Sequence, residues 1–477
     1  MKNLKRDTLF RRNGVSYVIP FMLVTVCFAL WGFANDVTNP MVEAFSKIFR
    51  MSVAEGALVQ TAFYGGYFAM AFPAALFIRK YSYKVGVLLG LALYAVGALL
   101  FFPARMAGTF SFFLLAYFIL TCGLSFLETS CNPYILTMGS RETATRRLNL
   151  AQCFNPIGSL FGMAVAMIFI QAQLNPADSD VRATWNEELF NQVKDADLGV
   201  LIGPYLWIAA VIAVLFVVLA VMRVPRRSDA AGGKVSDALR RLVRLKRYRE
   251  GVVAQFFYVG TQIMCWTFII QYGKRLLLDD PQVMQSGLMQ TALSVLHVLD
   301  VETWSSIVSA TELIETHAAV LSQMVNIMAM AVFCSSRFLC TFFMRFISAG
   351  HLLLLLAVLG AVFTAGAIFC CGVEGFYCLI AVSGCMSIMF PTIYGIALDG
   401  LDEDAKFGAA GLIMSILGGS VLPPLQGAIV DAGDADGLLF GLPAVNVSFV
   451  LPLICFVVVV GYGYRTLTNF NEPKEVR

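Results

Sequence analysis

The chain has 477 residues, of which 58% are hydrophobic and only 14% charged, and its formal net charge is +3. That apolar share exceeds what a water-soluble domain buries. A bilayer accommodates it, because a helix of about 20 apolar residues crosses the hydrocarbon with its backbone groups satisfied internally. The small net charge, with basic residues gathered in short connectors, argues against a nucleic-acid partner and for a lipid bilayer as the surroundings.

The N-terminal arm carries Lys2, Lys5, Arg6, Arg11 and Arg12 and runs into an apolar stretch too long for a cleaved leader, so that stretch reads as a retained first span. Apolar segments then follow at roughly 16–45, 53–78, 84–104, 109–138, 145–172, 201–223, 251–273, 318–344, 350–371, 375–398, 408–430 and 438–464. Twelve spans put both termini on one side. The 2/3 connector holds Arg79, Lys80 and Lys84 and the 4/5 connector Arg141, Arg146 and Arg147, whereas the 5/6 connector is acidic, with Asp178, Asp180, Glu187, Glu188, Asp195 and Asp197. The Lys/Arg bias therefore places the termini in the cytoplasm, as expected for a bacterial inner-membrane protein.

Residues 223–250 hold ten Lys/Arg against three acids and separate a six-span half, 1–222, from a second, 251–477. Two such halves around a midplane site is the architecture of major facilitator transporters. Asn132-Pro133-Tyr134-Ile135 in span four is echoed by Phe390-Pro391-Thr392-Ile393 in span ten, which suits an internal repeat. Residues 279–316, mixed acidic and apolar, read as an external insertion, partly amphipathic helix.

A carboxylate inside a span is costly, so such residues usually face a cavity and mark proton or substrate routes. Glu128 lies deep in span four, and Asn132 at i+4 shares its helical face. Desolvation disfavours the charged form of a carboxyl, the condition under which it can load a proton; the alternative is a protonated acid with one structural hydrogen bond. Asp36 lies in span one beside Asn35 and Asn39, with a wet position near the outer interface as its alternative. In span five, Asn149, Gln152 and Asn155 recur every third residue along one side of a helix. Neutral amides offer donors and acceptors together, which suits sugar hydroxyls; helix-to-helix hydrogen bonding is the other use. Gln60, Gln255, Gln262 and Asn326 extend the set. Tyr64 and Trp266 stand among several rings able to pack on the C–H face of a sugar, although packing or interface anchoring suffices for any one ring. The twelve cysteines form no C-x-x-C pair, and His297, His317 and His351 have no ligand spacing, so no metal and no cofactor are expected.

At these motifs the chain resembles the L-fucose:proton symporter group, the fucose/galactose/glucose branch of the major facilitator superfamily. The motifs are ALWGFAND ending at Asp36, LVQTAFYGGYF at 58–68, SYKVG at 82–86, LET-x-x-NP at 127–133, RLNLAQ-x-FN at 147–155, AQFFYVG-x-Q-x-x-CW at 254–266 and MSI-x-x-PTI at 386–393. The resemblance implies an all-α membrane fold of twelve transmembrane helices in two halves, and proton-coupled uptake of L-fucose by a monomer. It also implies that Glu128 is the protonatable glutamate and that Gln152 and Asn155 line a sugar cavity. The sequence departs from the group in span one: the family's aspartate falls where this chain has Asn39, and an asparagine falls where it has Asp36. Uptake of glucose, galactose or another hexose, drug/proton antiport and sodium coupling are the alternatives among transporters. An intramembrane enzyme would need a nucleophile and base at one depth, and no such spacing is present. A receptor built on a transporter body would bind a small neutral sugar without exchanging it.

Overall fold

The computed structural model describes residues 9–12, 15–38, 41–51, 55, 58–171, 173–175, 177, 179–222, 235–298, 310–370, 372–401, 404–433 and 437–468. Among these residues, eleven helices are long and apolar enough to cross a bilayer. They are span one (Val18–Thr38), two (Thr61–Lys80), three (Tyr83–Ala107), four (Phe110–Thr137), six (Glu187–Val221), seven (Lys246–Asp279), eight (Leu321–Phe343), nine (Ala349–Phe369), ten (Val373–Leu398), eleven (Ala405–Asp431) and twelve (Ala444–Thr468). The expected fifth span is present but in pieces, Ala144–Gln152, Phe154–Val165 and a π-helical Ala166–Gln171, which together complete the twelve. Its first break has a local cause. Pro156 has no N–H for the carbonyl four residues back, that of Gln152, and its ring crowds the same carbonyl, so the helix parts at Cys153.

Span ten parts in the same way, between Met386 and Met389, one turn ahead of Pro391. Several other helix ends are closed by side chains. Ser82, Asn186 and Ser348 accept from the backbone N–H three residues on and cap spans three, six and nine. Arg147 closes span four from the far side: Nε donates to the Ile135 carbonyl at 2.7 Å and Nη2 to that of Leu136 at 2.6 Å, a cation at a helix C-terminus.

Contacts divide the chain into two units, Met1–Arg249 with Ala397–Ile416, and Glu250–Ile396 with Leu417–Arg477. In the first unit, span three packs on four, one on five, and two on four. The first turns of span eleven (Ala405–Met414) pack on spans two and four. The central connector contributes a helix, Val235–Arg244, whose Ala238 and Leu242 are buried and whose Arg241 grips Asp404 with two hydrogen bonds of 2.7 and 2.8 Å. Span six presents Trp207, Val211, Val214, Val218 and Val221 to the outside, an apolar stripe at helical spacing that suits acyl chains. In the second unit span nine packs on ten and twelve, and eight on ten. The insertion contains a short 3₁₀ turn, Pro281–Gln285, and a helix, Gly287–Val298. A further helix, Ala310–Phe343, continues into span eight.

The acidic 5/6 connector is folded onto its own unit. Arg182 pairs with Asp197 at 2.7 Å, both side chains buried, and donates to the carbonyls of Ala177 and Asn175 at 2.8 Å each. The Arg50 guanidinium lies 3.6 Å over the Phe190 ring and donates to the Trp185 carbonyl at 3.3 Å.

Spans one and five approach each other through glycine. A Cβ on Gly158 would run into the Ala29 carbonyl, and one on Gly32 into that of Asn155, so two backbones meet where any side chain would hold them apart. Gly158→Val should therefore destabilise the chain by about 1–3 kcal/mol or prevent folding, read as a lower melting temperature and folded yield in detergent. Gly203→Ala on span six, where the added carbon meets nothing within 4 Å, should fold as the parent does. Equal behaviour of the two variants would contradict this packing.

Candidate functional site

The candidate site in the first unit is assembled on spans four and five. Glu128 is 6% exposed, and its Oε1 accepts from the Tyr67 hydroxyl of span two at 3.2 Å. Its Oε2 is buried and has no hydrogen-bond partner among the described residues. One helical turn on, Asn132 is fully buried, and its Oδ1 accepts from Gln152 Nε2 at 3.0 Å. Asn132 Nδ2 is a second buried atom with no hydrogen-bond partner among the described residues. Span four thus carries an unfilled acceptor and an unfilled donor one turn apart, which an unmatched buried pair tolerates only at a cost. A hydroxyl, able to donate and accept at once, complements that combination.

The break at Cys153 separates the two amides of span five by setting their helix pieces apart. Gln152 ends the first piece and turns to Asn132; Asn155, in the first turn of the second, donates from Nδ2 to the Phe28 carbonyl of span one at 3.2 Å. Ser159 Oγ donates to the Gly32 carbonyl at 3.4 Å, continuing that seam. Asn149 is buried and donates to the Thr145 carbonyl, within its own helix, at 3.0 Å. Asp36 is buried, 6% exposed, and lies close enough to Tyr64 for the two to interact electrostatically. Asn35 and Tyr64 are half-buried, and the Tyr64 ring meets Phe63 edge-on at 5.7 Å. Asn39 lies outside the described residues, as does the side chain of Gln60.

In the second unit, Gln262 and Trp266 are half-buried one turn apart on span seven. Trp266 Nε1 donates to Ser383 Oγ at 3.3 Å, and its ring meets Phe333 edge-on at 5.0 Å. Gln255 is fully buried, and neither of its amide atoms has a hydrogen-bond partner among the described residues. Around the break in span ten, Tyr258 donates to the Met386 carbonyl at 3.0 Å and Ser336 to that of Gly384 at 2.9 Å. Arg337 donates from Nε to the Ser387 carbonyl.

Two residues here escape sequence reasoning. Tyr67 reads as one more ring in an aromatic stretch, and nothing local marks its hydroxyl as the partner of a glutamate 61 positions away. Arg337 did carry a signal. It is a cation inside the apolar run 318–344, the same kind of anomaly that singles out Glu128, and the structure finds it 2% exposed. Its place follows from Pro391: the proline supplies no N–H to the Ser387 carbonyl, and the Arg337 guanidinium does. Arg337→Met should therefore cost about 1–3 kcal/mol by orphaning that carbonyl. Adding Pro391→Ala, which restores the backbone N–H, should recover part of the loss in thermal unfolding of the purified chain. Strictly additive losses would show that the arginine serves some other group.

The model of the Major Facilitator Superfamily matches residues 24–423. The L-fucose-proton symporter of Haemophilus influenzae is 47% identical over 459 residues, which cover 94% of this chain and 96% of the relative. The glucose/galactose transporter of Brucella abortus is 27% identical, covering 96% of each chain. A solved structure of the Escherichia coli fucose:proton symporter superposes with a TM-score of 0.77 at 28% identity, covering 94% of this chain and 99% of that one. These relatives are transporters, not enzymes. The chain belongs to the Major Facilitator Superfamily and, within it, to the L-fucose:proton symporter group.

Proposed function

We propose that the chain takes up L-fucose together with a proton by alternating access, as a monomer in a bacterial inner membrane with both termini in the cytoplasm. The observation that carries this reading is the buried Glu128 and Asn132 pair, with one unfilled acceptor and one unfilled donor, in a chain 47% identical to an L-fucose-proton symporter. Glu128 forms no ion pair among the described residues, so it exchanges between a neutral acid and a carboxylate without breaking a salt bridge. A neutral sugar adds no charge to the site, and a proton on Glu128 removes one. Loading therefore removes one buried charge, which lowers the cost of crossing a low-dielectric interior.

Gln152 and Asn155 are the further sugar contacts in this reading. Gln152 donates to Asn132 and Asn155 to the Phe28 carbonyl, which places the two amides beside spans four and one. Their amide groups are the neutral donors and acceptors that this reading offers to sugar hydroxyls. Asp36 supplies the span-one carboxylate one turn before the family's position, which is Asn39 here. A glucose or galactose substrate is the second reading, favoured by the transporters of that name that align over nearly the whole chain.

The test is uptake of labelled L-fucose, D-galactose, D-glucose and D-mannose into proteoliposomes with and without an imposed pH gradient. L-Fucose alone should accumulate, and only with the gradient; accumulation driven by sodium, or preference for glucose, would replace this reading. Within it, Glu128→Gln keeps shape and removes titration, so sugar exchange should persist while gradient-driven accumulation disappears. Asp36→Asn should abolish most active uptake, and adding Asn39→Asp should restore a substantial part of it. Unimpaired uptake in the single variant would remove Asp36 from the mechanism.

A further inference from the structure

The two oxygens of Glu128 stand in unlike surroundings. Oε1 is 3.2 Å from the Tyr67 hydroxyl, while Oε2 is buried without a hydrogen-bond partner among the described residues. The phenol's own hydrogen settles the direction of that bond. Glu128 is the acceptor the structure provides for it, so the phenol donates and the carboxyl accepts. Were the acid the donor, the phenol hydrogen would be left unmatched in a buried site, which is the costlier arrangement. Packing and a backbone bond hold the ring in place. Phe63 lies against it at 5.6 Å, and the Tyr67 backbone carbonyl accepts from Ser125 Oγ, one turn before Glu128, at 3.0 Å.

We propose that Tyr67 is a positioning residue for the coupling carboxyl: its hydroxyl occupies Oε1, so the exchangeable proton of Glu128 sits on Oε2. This rests on the reading of Glu128 as the coupling group. Loading forms an O–H bond at Oε2 of the carboxylate and gives the neutral acid. Unloading breaks that bond and returns its electron pair to Oε2. Tyr67 keeps its own hydrogen throughout and does not relay protons; it is the donor that the carboxylate retains when its proton leaves. Asn132 Nδ2, one turn away on the same face, is a buried donor without a hydrogen-bond partner among the described residues.

The experiment is infrared difference spectroscopy, acid minus alkaline, on the full chain in proteoliposomes. The Glu128 carboxyl band is identified by its loss in Glu128→Gln. With the proton on Oε2, the C=O is Oε1, and it is lowered by the bond from Tyr67. Tyr67→Phe, which keeps the packed ring, should therefore move the band to higher frequency. It should also slow gradient-driven uptake by roughly tenfold, the worth of one hydrogen bond to a charged group, while sugar exchange is nearly unchanged. In the Glu128→Gln background Tyr67→Phe should change exchange no further. An unmoved band, or an equal loss of exchange in both backgrounds, would overturn the proposal. If Tyr67→Phe does not fold, Glu128→Gln with ring-deuterated tyrosine answers instead. The C–O band of one tyrosine should shift as its acceptor becomes an amide, and no shift overturns the contact. Retained accumulation in Glu128→Gln would instead overturn the role of Glu128, leaving the band to decide on Tyr67.

Discussion

A hydrocarbon interior offers no water to a polar group, and most of this structure can be derived from that constraint. Helices form because each satisfies its own backbone, and at two places where one fails to do so an arginine is brought to the gap. Pro391 leaves the Ser387 carbonyl without its donor, and Arg337 takes the place of the missing N–H. The end of span four exposes carbonyls that Arg147 covers with two nitrogens. Gly32 and Gly158 bring two backbones close enough for Asn155 to reach the Phe28 carbonyl. Other buried polar atoms lack a hydrogen-bond partner among the described residues, those of Thr129, Tyr134 and Gln255 among them. Glu128 and Asn132 set an acceptor and a donor one turn apart on a single helical face, and the same constraint makes them expensive.

The architecture was legible in the sequence because hydrophobic length is a local property. The spans follow from runs of residues, and no long-range information is needed to find them. Continuity was less legible. Span five reads as a single apolar segment, yet Pro156 divides it, and that division sends Gln152 toward span four and Asn155 toward span one. A three-residue amide repeat suggests one shared face; the broken helix gives the amides different partners.

The site was legible where its chemistry is anomalous and illegible where it is ordinary. A glutamate in the middle of an apolar run announces itself; Arg337 is an anomaly of the same kind that escapes the reading of the spans, and both are buried here. The Tyr67 hydroxyl does not, since a tyrosine among aromatics has many uses, and only the packing of span two on span four brings it to Glu128. The same limit applies to Asn132, whose carbonyl is engaged by Gln152 from a different helix. In each case the missing information is which helix faces which. Periodicity within one span cannot supply it.

The central claim is that each sugar enters with one proton carried by Glu128. The most direct measurement is the pH of a weakly buffered, de-energised suspension of proteoliposomes when L-fucose is added outside. Proton entry with the sugar should make the medium more alkaline in step with sugar uptake, and Glu128→Gln should exchange sugar with no change in pH. Sugar entry by the parent chain without alkalinisation, or alkalinisation retained after Glu128→Gln, would contradict the account.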